Sequence, residues 1–198
     1  MAKKGNGARK GGNYQRTIAK KLSLWATEGK HDDIIWHTSG SGARATTRAK
    51  QGKRTVNNYG DLMHTCEEGK PLFEHCVIEL KNGYGKWAPL DCIDYGATMK
   101  TVQVFDEFIE QVERDCSLAE RRYPILIAKR DKRRDIIAIP KQLNMAIELM
   151  YGKCQCKKIH YVCNSDSANP SIYIIMALDD FLQWCPFDFF RQIGDKNA

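Results

Sequence analysis

The chain is predicted to be an α/β protein, a mixed central β-sheet flanked by helices. Three observations lead there. Helix-periodic segments at 13–28 and 101–120 bracket a series of short strand-like runs. A second strand pair and another helical segment follow the second helix. The 198 residues are 42% apolar and 28% charged, which suits a globular chain able to bury a core.

The elements follow in chain order. Residues 1–12 are rich in Gly, Lys and Arg and lack apolar periodicity, so they read as a flexible basic arm. In 13–28, Tyr14, Ile18, Leu22 and Trp25 fall on one helical face. Asn13 is the expected N-cap and Gly29 the expected stop. Residues 33–37 read as a short strand, and 38–59 as a long polar, basic loop. Residues 60–65 and 73–81 read as two strands joined by a turn at 66–71. The helix over 101–120 carries Val104, Phe105, Phe108, Val112 and Ala119 on its apolar face. Residues 124–129 and 135–139 form an expected hairpin across the charged turn RDKRR. Pro140 is expected to open a helix over 140–151. Strands at 158–163 and 171–177 and a short helix at 178–184 complete the chain. The four tryptophans, Trp25, Trp36, Trp87 and Trp184, are expected in the core.

Charge is distributed unevenly. Residues 1–60 contain 13 Lys or Arg against Glu28, Asp32 and Asp33, whereas the whole chain carries only +7. A basic third on a mildly acidic body points to a polyanionic partner, with nucleic acid the foremost class. A solvated basic tail is the plainer alternative. The N-terminus lacks a signal peptide's apolar stretch, and no run approaches the about 18 residues of a membrane span. The expectation is a cytoplasmic protein whose eight cysteines are reduced. Cys154, Cys156, His160 and Cys163 lie close enough in sequence for zinc, but their spacing is not the usual knuckle. Reduced cysteines along a strand are the default reading.

The informative constellation is Asp61, followed 18 residues later by Glu79-Leu80-Lys81. Alternation along a strand sends Glu79 and Lys81 to one face and Leu80 to the other. Pairing of the Asp61 strand with this one would bring two carboxylates and an ammonium together. Such a group suits phosphodiester hydrolysis assisted by Mg²⁺, which takes hard oxygen ligands and keeps waters. The plainer reading is a surface acid and a strand-edge salt bridge.

The pattern Asp61…Glu79-x-Lys81 resembles the core of the PD-(D/E)XK nuclease superfamily. More closely, NYQRTIAKKLSLWATEG, DDIIWHTSGSGARATTRAKQGK, YGDL and IELKNGYG resemble phage and prophage endonucleases related to archaeal-type Holliday junction resolvases. PILIAKRDKRRDIIAIP is similar to the strand pair that completes the sheet in that group. The resemblance implies a restriction-endonuclease-like αβββαβ core over 13–140, with 141–198 a C-terminal extension of the same domain. It implies a metal-dependent DNA endonuclease, selective for structures such as a four-way junction, acting in recombination, repair or DNA processing. Asp61 and Glu79 would hold Mg²⁺ or Mn²⁺, and Lys81 would assist catalysis, leaving a 5′-phosphate and a 3′-hydroxyl. A homodimer would follow from the two equivalent cleavage points of a junction.

Resolvase-like members carry a Glu in the first helix, where this chain has Gln15-Arg16-Thr17-Ile18. Gln15 is the candidate neutral member of the site; Asp91 and Asp94 are possible replacement acids or plain surface carboxylates. The departure favours, as an alternative, a nuclease-fold protein that binds DNA with weak or no cleavage. Ser39 and Ser41, with Arg44, Arg48, Lys50, Lys53 and Arg54, are the expected DNA-backbone contacts, against a plain turn and a solvated run. His37, His64 and His75 are expected to be packed or half-exposed rather than catalytic. Gln111 reads as an approach to the metal site or, by default, an ordinary helix-surface amide. As an alternative to a core place for Trp87, Tyr84 and Trp87, in the loop after Lys81, could stack on unpaired bases.

Overall fold

A computed structural model describes residues 6–38, 59–83, 101–163 and 170–195. Within them lie helix α1 (Asn6–Ala26) and strands β1 (Ile35–His37) and β2 (Leu62–His64). A 3-10 turn at Glu67–Gly69 leads into α2 (Lys70–His75) and β3 (Cys76–Asn82). Then come α3 (Thr101–Leu118), β4 (Tyr123–Lys129), β5 (Asp135–Pro140) and α4 (Lys141–Tyr151). Last are β6 (Lys158–Cys163), β7 (Ser171–Ala177), α5 (Leu178–Trp184) and α6 (Asp188–Asp195).

The sheet has five strands in the order β3-β4-β5-β7-β6. β3 and β4 run parallel, joined by the α3 crossover, and the other neighbours are antiparallel. The mixed α/β architecture therefore follows the expectation. β4 and β5 do not end the sheet, however; β7 and β6 extend it. Strands buried on both faces read as continuous apolar runs, which is why CVIEL, PILIA and DIIAI stand out in the sequence.

Two cores result, one on each face. On one face Ile78, Leu80, Ile125, Ile127, Ile137 and Ile174 pack beneath α1, α4, α5 and α6. On the other, Val77, Leu126, Ala128, Tyr173 and Ile175 pack against Phe105, Phe108, Ile109 and Val112 of α3. No helix among the described residues is long and apolar enough to cross a membrane.

Several elements differ from expectation. α1 begins at Asn6, so Asn13 lies inside the helix, its carbonyl accepting the Thr17 hydroxyl at 3.0 Å. The packed stripe from Tyr14 onward supplies the nucleus, and extending a formed helix needs no second one. Residues 6–12 of the expected arm are thus helical, and 1–5 lie outside the described residues. Gly29 does end the helix region, at φ +87°, with its N–H on the Leu24 carbonyl at 2.7 Å. Residues 70–75 form a helix rather than the start of a strand, because Pro71 presets the first-turn φ. α6 was not foreseen; Phe189 and Phe190 bury its inner face. Trp36 is 45% exposed, since the small β1–β2 sheet is covered on the Ile35 side.

The cysteine expectation needs correction as well. Cys154 and Cys156 form a disulfide, while Cys66, Cys76, Cys116, Cys163 and Cys185 are free thiols. The four-residue zinc reading does not assemble. Cys156 packs toward Met176 on one face of the sheet, Cys163 is buried on the other, and His160 is exposed. Alternation along β6 separates them.

Candidate active site

β3 is an edge strand, and its free edge is where the site forms. Cys76, Ile78 and Leu80 go into one core, Val77 into the other. The same alternation turns Glu79 and Lys81 toward α3, as the sequence predicts. Lys81 Nζ donates to Glu79 Oε1 at 2.7 Å.

Asp61 reaches β3, but not through a strand ladder. β2 pairs with β1 in a separate two-stranded sheet. Asp61 precedes β2 and docks on the β3 edge directly. Its N–H donates to the Ile78 carbonyl at 2.8 Å, and its Oδ2 accepts the Leu80 N–H at 2.9 Å. These contacts satisfy edge groups that would otherwise stay unpaired. From the other side, the Thr38 N–H holds the Asp61 carbonyl at 2.9 Å, and the Thr38 hydroxyl holds that of Gly60 at 2.8 Å.

Gly60 makes this approach possible. It sits at φ +76°, and a Cβ there would lie 2.7 Å from the Ile78 carbonyl oxygen and 2.9 Å from Val77 Cγ1. Gly60→Ala is expected to cost about 1–3 kcal/mol and to displace Asp61. Chemical denaturation checks the first effect; loss of activity beyond that explained by unfolding checks the second.

α3 supplies the rest. Gln111 Nε2 donates to Glu79 Oε1 at 2.8 Å, and Gln111 Oε1 accepts from Lys81 Nζ at 2.7 Å. The Lys81 ammonium also lies 5.0 Å from the centre of the Phe108 ring. Gln111 is therefore part of the cluster, not an ordinary surface amide. Asp115, one turn further along α3, is a neighbour that sequence reasoning missed. Burial raises its carboxyl pKa, Arg114 and Lys81 oppose that rise, and Asp61 adds to it. Its i+4 spacing from Gln111 was the available signal.

The two carboxylates are buried, Asp61 at 6% and Glu79 at 5% exposure. Burial and then the charge of Asp61 push the Glu79 carboxyl up to about 7, against the pull of Lys81. A buried carboxylate whose proton affinity is raised by a neighbouring carboxylate makes a site a divalent cation would relieve. Hard oxygen donors are also what Mg²⁺ takes. The residues present thus fit such an ion with two protein ligands and the remaining positions left to water and substrate. No third Asp, Glu, His or Cys joins them among the described residues.

Gln15 lies on α1, whose buried residues pack on the opposite face of the sheet from Glu79 and Lys81. It is half-buried, and its side chain makes no hydrogen bond with the described residues. The expected backbone contacts, Ser39, Ser41, Arg44, Arg48, Lys50, Lys53 and Arg54, lie outside the described residues, as do Tyr84, Trp87, Asp91 and Asp94. His37, His64 and His75 are half-buried.

Comparison with protein-family models matches residues 6–191 to a family described as phage putative PDDEXK endonuclease. No curated protein and no solved structure matches.

Proposed function

The chain belongs to the phage putative PDDEXK endonuclease family, and from that premise we propose that it hydrolyses DNA phosphodiester bonds with a divalent metal ion, Mg²⁺ or Mn²⁺, held by Asp61 and Glu79. The observation that supports this most is the hydrogen-bonded convergence of two buried carboxylates, one ammonium and one amide at the β3 edge. A bound divalent cation would supply Lewis-acid polarisation of the scissile phosphate and acidify water beside it.

The chain's own residues do the positioning. Glu79 Oε1 is fixed by two donors, Lys81 Nζ and Gln111 Nε2, so its rotamer is set before substrate arrives. Asp61 is fixed by the Leu80 N–H. Lys81 spends two of its three donors on Glu79 and Gln111, leaving one for a phosphate oxygen or the attacking water. Water's oxygen forms the new bond to phosphorus, the bond to the 3′ oxygen breaks, and that oxygen takes up a proton. Burial keeps bulk water from screening these charges.

Backbone contacts carry no base sequence, so DNA shape at a junction, flap or end is the proposed basis of selectivity. Two chains acting as a dimer would address the two equivalent cuts of a junction. Cleavage of branched against linear DNA in Mg²⁺ and in Mn²⁺ tests the proposal. Binding without cutting in either metal would favour a DNA-binding protein that has lost catalysis, and the substitution of Gln15 for an acid is the feature that motivates that reading.

Gln111 acts through its neighbours. Gln111→Leu is expected to lower kcat by about 10–100-fold with little change in KM. Steady-state kinetics separates the two constants. A pure KM effect would assign Gln111 to substrate binding.

A further inference from the structure

The turn between β4 and β5 is strongly basic, and the catalytic cluster does not use it. Residues 129–135, KRDKRRD, hold five basic and two acidic side chains. Its position follows from strand register. Lys81 pairs with Ala128 and Asn82 with Lys129, in parallel strands. The hairpin therefore projects beyond the same end of the sheet at which Lys81 sits. Arg130 is two residues past Ala128, roughly 7 Å farther along the strand axis. Where the chain leaves β3, the Gly83 N–H donates to the Lys129 carbonyl at 3.0 Å, tying the two together.

The base of the hairpin is held on several sides. Lys129 pairs with Asp135 at 3.6 Å, and the same Asp135 oxygen accepts the Tyr14 hydroxyl of α1 at 3.1 Å. Arg134 reaches Asp180 at 3.2 Å and Asp179 at 3.6 Å on α5. At the tip, the Arg133 N–H closes on the Arg130 carbonyl at 3.1 Å, and Lys132 takes φ 59°. Lys132 and Arg133 are exposed and form no ion pair with the described residues. Two unneutralised cations on a braced turn, close to a phosphodiester-cutting site, match a polyphosphate strand better than they match any internal partner.

We infer that the β4–β5 hairpin is a second DNA-backbone grip, in which Lys132 and Arg133 contact phosphates about two to three nucleotides from the scissile bond. The inference rests on the nuclease reading for its substrate, but its test does not need cleavage. Backbone contacts of this kind set register and carry no sequence information. The grip also differs from the 39–54 loop, which precedes Asp61 in the chain.

The test uses the full chain with a fluorescently labelled DNA duplex and a labelled four-way junction, in EDTA so that nothing is cut. Lys132→Ala/Arg133→Ala is compared with Lys30→Ala/Lys141→Ala, which removes two exposed cations elsewhere. Lys30 lies past the far end of α1, on the order of 18 Å along the helix from Tyr14. Lys141 follows the opposite end of β5. Expected for the hairpin variant is at least a tenfold loss of affinity and a salt slope smaller by about 1.8, with unchanged circular dichroism. An affinity and slope equal to those of the control pair would overturn the inference. Wild-type protein that binds but never cuts would end the hydrolase reading while leaving the hairpin to be judged on its slope alone.

Discussion

Lys81→Ala is expected to lower DNA cleavage by about 10²–10⁴-fold while DNA affinity stays within about twofold. The side chain is only 14% exposed and is committed to Glu79 and Gln111, each at 2.7 Å. Alanine removes the donor that faces the substrate. It also removes the Lys81 cation, which opposes the rise in the Glu79 pKa, so burial and Asp61 act on that carboxyl against a weaker counterweight. The lesion is thus double, a lost positive charge and a carboxylate that holds its proton to higher pH. Single-turnover cleavage and equilibrium binding, measured on the same DNA, separate chemistry from affinity. Cleavage close to the wild-type rate would take Lys81 out of the machinery and leave the proposed mechanism without its electrostatic centre.

The second expected result is a pH-dependent stabilisation by divalent metal. In the fold Glu79 is pushed from its ordinary value of 4.5 up to about 7. The folded state therefore favours the protonated carboxyl. That contribution is fully present below 4.5 and is lost as pH rises through about 7. The loss amounts to about 3 kcal/mol for a shift of this size. Asp115, also raised, acts in the same direction. Metal binding needs the ionised carboxylates, so Mg²⁺ or Mn²⁺ should stabilise the protein strongly at pH 8 and little at pH 5. At one hundred times the Kd, the gain is about 2.7 kcal/mol. Glu79→Gln should flatten both the pH dependence and the metal response. Denaturation of both proteins at the two pH values, with and without metal, gives the comparison. An identical metal response in Glu79→Gln would show that the ion binds somewhere else.

The strand that carries Glu79 and Lys81 was readable because its information is local. Glu79-Leu80-Lys81 needs only the two-residue period of a strand to place acid and ammonium together, and the run CVIEL announces a strand buried on both faces. The same holds for the β4–β5 hairpin and for α4, which Pro140 and Gly152 bracket. Residues 70–75 were misread for the opposite reason. Short apolar segments fit either period, and Pro71 in the first turn together with the docking of Leu72 into the core decides for a helix.

Asp61 and Gln111 mark the boundary most clearly. That Asp61 belongs with Glu79 could be inferred from residue types and order, yet the means of bringing them together could not. A glycine at positive φ and an unpaired strand edge do the work that strand pairing was expected to do. Gln15 and Gln111 are both helical amides in amphipathic segments, with nothing in their local sequence to rank them. Which helix covers which face of the sheet ranks them: α3 lies over Glu79 and Lys81, and α1 packs on the other side. Composition, periodicity and a short motif thus established the α/β class and singled out the acid–acid–lysine set, because those depend on neighbours along the chain. The choice of amide, the raised proton affinity of Glu79 and the setting of the basic hairpin depend on burial and on contacts between residues tens of positions apart, and these exist only once the chain has packed.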